Sequence, residues 1–283
     1  MRPHRIMIVV LYAALVAFAA VTIVPFAYLV FSSFKSQETF FSFPFWPTQG
    51  AWWEVDWSGF TGQHFTRLFE ETGVLQATVN SFCLSSVTAV LATLSSAMGG
   101  YGLAKFRFRG REAITWLAIG ALVIPGALLL APGYHLLFRL GLLDTYAGLI
   151  LPAIAPAFGV YLFRQAFISG LPDEMLEAGR VDGCGELRIF FSLSLPMVRP
   201  MIGAFLLITY LGTWNNFLGP QILLQTPGKY PLAVFVSQLR GPYGTEHGLI
   251  MAGTMIAVAP VLLLFLMLQR DFIAGLTAGA AKG

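Results

Sequence analysis

Residues that could do enzymatic or metal chemistry are few in this sequence, and their spacing predicts none of the usual sites. Cys83 and Cys184 lie about a hundred residues apart, which predicts two free thiols. No Ser/His/Asp set, no paired carboxylates within apolar stretches and no Gly-x4-Gly-Lys-Ser/Thr phosphate loop occurs. The histidines lack metal-ligand spacing: His4, His64, His135 and His247. We therefore expect a chain that is not an enzyme and that holds no metal or nucleotide of its own.

Polar and aromatic residues inside apolar stretches suggest a different chemistry, the passage of a polar solute. Such residues are costly in a membrane, so each indicates either a function or an interhelical hydrogen bond. For Asn80 the structural hydrogen bond is favoured, whereas for Asn215 and Asn216 both interpretations stay open. Aromatic faces with a few amides suit a sugar, and the candidates for a translocation path are Asn80, Trp214, Asn215, Asn216 and Gln221.

A charged segment at 171–183 has the composition of a short helix. Pro172 suits the start of a helix, and the helix dipole favours Asp173 and Glu174 in its first turn. Gly183 supplies a stop. A helix of about two to three turns is not stable alone, so we expect other elements to hold it.

The composition shows which elements must position these residues. Hydrophobic residues make up 57% of the chain and charged residues 11%, against about 45–50% and about 25% in soluble domains. An aromatic content of 14% excludes disorder, and a net charge of +3 gives no support for nucleic-acid binding. The composition predicts an all-helical integral membrane protein in contact with lipid.

Six stretches are long enough for the ~20 residues that a spanning helix needs. Pro152 and Pro156 predict a kink in the fourth of them. Gly99, Gly100 and Gly102 near the end of the second predict close helix packing rather than phosphate binding. We expect one membrane domain over 1–283, with spans at approximately 8–32, 74–104, 113–138, 145–164, 200–224 and 247–269.

The distribution of basic residues predicts the orientation of the chain. With the N-terminus in the cytoplasm, twelve of the 17 Lys and Arg residues fall in inside segments and five in outside segments. The short loop 105–111 carries most of this bias. Both termini are therefore expected to be cytoplasmic.

The spacing of the segment between spans four and five resembles the cytoplasmic signature of permease subunits of ATP-binding-cassette (ABC) importers. That signature is Glu-Ala-Ala, three residues, Gly, nine residues, then Ile-x-Leu-Pro. Gly179 replaces the second Ala, which lowers helix stability by about 1 kcal/mol, and Leu193 replaces the Ile. Every spacing is kept by Glu177-Ala178-Gly179, Gly183, Leu193 and Leu195-Pro196.

Further matches resemble the carbohydrate importers of the maltose-transporter type, and the second, shorter permease of such pairs. They extend over essentially the whole chain, in order. The matching segments are Ser32-Ser33-Phe34-Lys35, Asn80-Ser81, Trp214-Asn215 with Phe217-Leu218, and the tail 275–283.

This resemblance implies a type I ABC importer permease fold with a cytoplasmic coupling helix between spans four and five. It implies a multi-pass protein of a prokaryotic inner membrane that imports a sugar. The implied partners are a homologous second permease, two ABC ATPase subunits and an extracytoplasmic substrate-binding protein. ATP and Mg would be bound by the ATPase subunits, and this chain would carry no cofactor.

The resemblance also implies roles for particular residues. Small residues at 178, 179 and 183 would allow close approach of an ATPase, and the 225–246 loop would contact the binding protein unless it lies on the membrane surface. The implied ATPase-coupling residues are Glu177, Ala178, Gly179, Asp182, Gly183, Leu195 and Pro196. The implied contacts with the binding protein are Tyr230, Arg240 and Tyr243.

Two alternatives remain at the level of the sequence. One is an importer permease for another solute, such as a polyol phosphate. The other is an intramembrane lipid-modifying enzyme, which would need clustered acidic residues or histidines at a membrane face.

Overall fold

The computed structural model describes residues 2–43, 45–46, 48, 54–240 and 246–280. Across these ranges the regular structure is helical, and β-structure is limited to isolated bridges that pair Lys35 with Phe60 and Thr48 with Val55. The all-helical prediction is confirmed for this part of the chain.

The helices follow one another with short connections. Single 3₁₀ turns occupy Trp57–Gly59, Gly126–Leu129 and Pro227–Lys229, and a π-helical stretch covers Phe190–Ser194. The α-helices are α1 (Arg2–Ser33), α2 (Gln63–Glu70), α3 (Val74–Lys105), α4 (Arg111–Ala121), α5 (Leu130–Arg139), α6 (Tyr146–Ala153), α7 (Ala157–Gly170), α8 (Asp173–Val181), α9 (Glu186–Ile189), α10 (Leu195–Met197), α11 (Arg199–Trp214), α12 (Leu218–Leu223), α13 (Leu232–Gln238) and α14 (His247–Ala280).

Among the described residues, four helical segments are long and apolar enough to cross a membrane. They are Met7–Ser33, Val74–Lys105, Tyr146–Gly170 and His247–Met267. The third of these is interrupted, because α6 ends at Ala153 and α7 begins at Ala157. The kink expected from Pro152 and Pro156 is therefore a break of three residues, 154–156.

The stretches expected to span at 113–138 and 200–224 are not single straight helices. Helix α4 and the Gly126–Arg139 segment are bent by 99°, because Pro125 has no N–H and disfavours helix in the residue before it. Helix α11 ends at Trp214, and the segment Glu186–Met197 that precedes it is bent by 84° against it. If each bent pair counts as one span, the described residues hold six.

The described residues form two compact units. One comprises Met1–Leu75 with Phe235–Pro260, and the other comprises Gln76–Val234 with Val261–Gly283. In the first unit, Lys35 is fully buried, donates from Nζ to the carbonyl of Phe43 and lies 5.5 Å from the centre of the Tyr28 ring. His64 Nε2 bonds to the carbonyl of Lys35 at 2.8 Å. The Ser-Phe-Lys segment after α1 is thus a packed turn within this unit.

In the second unit, one face of α3 is lined by small buried residues at helical spacing. They include Ala77, Ser81, Ser85, Ala92 and Ser96. Small side chains let helix backbones approach closely, which is the main source of packing energy between helices in lipid. Gly100 ends this face, where an added Cβ would lie 2.6 Å from Phe163 Cβ and from the backbone nitrogen of Arg164. The close packing predicted for the glycine cluster is confirmed at Gly100.

This contact gives a prediction with a control on the same helix. Gly100→Ala should destabilise the protein by about 1–3 kcal/mol, because the new methyl group must displace the backbone of α7. Gly102→Ala meets nothing within 4 Å and should leave stability unchanged or slightly raised. Thermal unfolding of the detergent-purified protein is the measurement, and equal midpoints for the two variants would show that the helices do not meet at Gly100.

Candidate functional site

The last turn of α3 holds the start of α8. Lys105 Nζ donates to the carbonyl of Leu171 and to Asp173 Oδ1, both at 2.6 Å. The Lys105 side chain is buried, whereas that of Asp173 is exposed. The hydrogen bond from Lys105 lowers the pKa of the Asp173 carboxyl, so this link is present above the ordinary aspartate pKa of about 3.9 and is lost as the pH falls through the lowered value.

Helix α8 is fixed mainly by packing. Leu176 is 2% exposed and lies in a core with Tyr101, Phe167, Ile189 and Phe190. Removing a leucine side chain from such a site costs about 2–5 kcal/mol. The ion pair that joins α8 to α9, Arg180 Nε to Glu186 Oε1 at 2.7 Å, is well exposed and is worth at most about 1 kcal/mol. Packing therefore decides the position of α8.

Gly179 faces the interior of the chain. It is buried, and an added Cβ would lie 3.1 Å from Leu193 Cδ1 and 3.3 Å from Ile189 Cγ1. The small residue here lets α8 lie close to the helical segment that follows it in the same chain. The expectation that Gly179 allows close approach of an ATPase stays a prediction, and the close contacts seen here are with Leu193 and Ile189.

The end of α8 has the hydrogen bonds of a Schellman motif. The N–H of Cys184 donates to the carbonyl of Gly179, and the N–H of Gly183 donates to the carbonyl of Arg180, both at 3.0 Å. Gly183 has φ +77°, a backbone conformation that only glycine adopts without strain. The predicted helix stop at Gly183 is confirmed, with its physical reason.

A continuous outer surface remains on α8 and its C-terminal turn. The exposed residues include Glu177, Ala178, Val181 and Asp182, and Val181 is 87% exposed. An acidic group beside an uncovered valine on a rigid helix suits contact with another protein.

The segment after α8 reaches the next membrane helix through a bend. Leu195 donates to the carbonyl of Phe190 five residues earlier, which closes a π-helical turn just before Pro196. A wider turn accommodates the proline ring, which would otherwise meet the carbonyl four residues back. Val198 then has φ −106° and ψ 19°, and α11 begins at the next residue.

The candidate path residues of span five lie where that span is interrupted. Trp214 is buried and stacks on Tyr210 with ring centres 5.9 Å apart. Asn215 and Asn216 are exposed; Asn215 Nδ2 donates to the carbonyl of Leu211 at 3.0 Å, and Asn216 Oδ1 accepts from the N–H of Gly219 at 3.2 Å. Asn216 thus satisfies a backbone N–H at the start of α12, and the Asn215 side chain adds a second donor to the Leu211 carbonyl, which also accepts the Asn215 N–H. Gln221 is exposed on α12.

Tyr210 is a residue of this group that sequence reasoning missed. Its hydroxyl is buried and has no hydrogen-bond partner among the described residues. The available signal was its position four residues before Trp214, which places both rings on one helix face.

Asn80 has structural partners. Its Nδ2 donates to the carbonyl of Gly228 at 2.9 Å and of Tyr230 at 3.1 Å, and its Oδ1 accepts from Gln76. These are the structural hydrogen bonds that the sequence favoured for this residue.

Two of the three candidate contacts for a binding protein can be placed. Tyr230 is half-buried and its hydroxyl donates to the carbonyl of Gln225 at 3.4 Å, and Arg240 is exposed. Tyr243 lies outside the described residues. Just after it, Glu246 forms an ion pair with Arg67.

The long apolar helices are those of an integral membrane protein, and comparison with known proteins gives its family. Residues 92–276 match the family of binding-protein-dependent transport system inner membrane components. The arabinooligosaccharides transport system permease protein AraQ of Halalkalibacterium halodurans is 39% identical over 229 residues, 81% of this chain and 82% of the relative. The lactose transport system permease protein LacG of Rhizobium radiobacter is 37% identical over 197 residues, 70% of this chain and 72% of the relative.

A solved structure has the same fold. It is a bacterial ABC transporter involved in the import of the acidic polysaccharide alginate, which matches with a TM-score of 0.83 over 96% of this chain and 98% of that chain, at 21% identity. The chain belongs to the binding-protein-dependent transport system inner membrane component family. It is a permease of an ABC importer with the type I fold, and its role is transport rather than catalysis.

The end of α8 gives the second prediction. Gly183→Ala forces a side chain into the left-handed region and should weaken the helix end by about 1 kcal/mol. The Cys184 amide should then exchange its hydrogen about five-fold faster, since 1 kcal/mol is about a factor of five. Gly185→Ala, at φ −70° with nothing within 4 Å, is the control. Unchanged exchange in Gly183→Ala would contradict the strain argument.

Proposed function

We propose that this chain is a permease subunit of an ATP-driven importer for a carbohydrate. The observation that carries the proposal is its similarity to two permeases named for arabinooligosaccharide and lactose transport, over most of both relatives. A second observation supports the proposal. Tyr210 and Trp214 stack next to two exposed amides at a break in an apolar helix, and aromatic rings beside amides suit the passage of a hydroxyl-rich solute.

Helix α8 is proposed to be the coupling helix that contacts an ATPase subunit. Part of α8 is buried in the chain's own core, and the exposed face that it offers to a partner carries Glu177, Ala178 and Asp182. Gly179, Gly183, Leu195 and Pro196 act in this proposal by fixing the shape of α8 and of the bend that follows. ATP and Mg belong to the ATPase subunits.

The complete transporter is proposed to hold this chain, a homologous second permease, two ATPase subunits and an extracytoplasmic binding protein. The chain crosses the inner membrane six times in this proposal, with each bent pair as one span and both termini in the cytoplasm. The excess of basic residues at 105–111 supports that orientation. Tyr230 and Arg240 then lie on the outer side, where a binding protein docks.

A charge reversal on α8 tests the coupling role. Glu177→Lys should lower both sugar-dependent ATP hydrolysis and sugar uptake at least ten-fold. The substitution reverses the charge of an exposed contact residue without touching the core. Glu112→Lys, an exposed acid in the first turn of α4, should retain uptake. The measurements are uptake of labelled oligosaccharide and co-purification of the ATPase. Normal uptake by Glu177→Lys would remove α8 from the contact.

Cysteine labelling tests the orientation. In a background with Cys83→Ala and Cys184→Ala, Gln63→Cys should react with an impermeant maleimide in intact cells. Glu112→Cys should react only after permeabilisation. Both positions are exposed, so accessibility of the side chain is not limiting. The opposite pattern would reverse the orientation.

A further inference from the structure

Asp144, between α5 and α6, organises the turn that follows α12. Its carboxylate accepts from the N–H groups of Gln225 at 2.9 Å and Thr226 at 3.0 Å, from Thr226 Oγ1 at 2.6 Å and from Lys229 Nζ at 2.7 Å. Lys229 Nζ also donates to the carbonyl of Asp144, and the N–H of Asp144 donates to the carbonyl of Leu223. One residue thus makes six hydrogen bonds to five polar groups of the segment 223–229.

A second anchor acts on the same turn from α3. Asn80 donates to the carbonyls of Gly228 and Tyr230, and Ser81 Oγ accepts from the N–H of Leu232 at 2.7 Å. We name residues 225–232 the anchored turn. Asp144 holds its beginning, and the pair on α3 holds its end.

The backbone conformation and the ionisation of Asp144 both fit its role in holding the turn. Its φ is +55°, in the left-handed region, which Asp and Asn adopt more readily than other residues with side chains; no other non-glycine residue in the described parts of the chain has a positive φ. The six hydrogen bonds of Asp144 hold the backbone in this conformation. The pKa of the Asp144 carboxyl is held well below its usual range. The causes are the hydrogen bonds from the Lys229 ammonium, from the Thr226 hydroxyl and from the two backbone N–H groups, so the carboxyl is ionised at every physiological pH.

The ion pair between Lys229 and Asp144 does not by itself fix the shape of the turn. The Lys229 side chain is 40% exposed and that of Asp144 is 25% exposed, and such pairs contribute little by themselves. The backbone donors at 225 and 226 are the groups that a flexible turn would leave to water. The carboxylate therefore fixes a backbone shape.

We infer that Asp144 and Asn80 are positioning residues that present the anchored turn in a fixed shape to the extracytoplasmic binding protein. The inference rests on the proposed function, which places this turn on the outer face. Gln225 to Gly228 are exposed, so the turn offers surface as well as shape. A preformed turn loses less conformational freedom when a partner docks than a flexible one, so it binds with higher affinity.

The test is stimulation of ATP hydrolysis by purified binding protein in the reconstituted transporter. Asp144→Gly removes the carboxylate and keeps a residue that tolerates the left-handed backbone, whereas Asp144→Asn keeps that tolerance and one acceptor oxygen. We expect Asp144→Gly to need at least five-fold more binding protein for half-maximal stimulation, and Asp144→Asn an intermediate amount. Basal hydrolysis should match the wild type in both.

Lys229→Met gives a second measurement that spares the fold, because the side chain is partly exposed. It should raise the half-maximal concentration of binding protein, and its effect should be smaller in the Asp144→Gly background, where its partner is absent. A wild-type response from Asp144→Gly would overturn the inference. If the wild-type transporter itself shows no stimulation by any binding protein, the proposed function fails instead, and the two failures are distinguishable.

Discussion

The close approach of α3 to α7 at Gly100 is the contact on which the position of α8 depends. Helices in lipid gain little from apolar contact alone, because the lipid chains are equally apolar. The small face of α3 allows dispersion contacts at short range, and Phe163 occupies the space that a side chain at position 100 would fill. Tyr101 and Phe167 then meet with ring centres 5.5 Å apart, and this aromatic cluster receives Leu176. A helix too short to be stable alone is thus held by the packing of the helices beside it.

Features with local causes could be predicted from the sequence. The helix stop at Gly183 depends on the four residues before it and on one dihedral angle, so spacing alone located it. The acidic start of α8 at Asp173 follows from the dipole of that same helix. Apolar length located the helices at Met7–Ser33, Val74–Lys105 and His247–Met267, because hydrocarbon thickness sets the number of residues.

Features that depend on distant residues could not be predicted. Hydropathy measures how apolar a stretch is and does not predict where its helix is interrupted. It therefore missed the break after Trp214, where two side-chain amides bond to backbone groups, and the bend at Pro125. The inward orientation of Gly179 depends on how the chain folds back after Gly183. The partners of Asn80 and Asp144 lie far along the chain, and a single sequence carries no signal for such pairs.

The bend at Val198 has a mechanical consequence. A single non-helical residue separates the Glu186–Met197 segment from α11, and one residue contributes two soft torsions. The two helical segments meet at 84° with no loop between them. A tilt of the Glu186–Met197 segment would therefore reach α11 through one residue, with no flexible linker between the two. Pro200 lies in the first turn of α11, where its missing N–H costs no intrahelical hydrogen bond and its fixed φ favours the helical start.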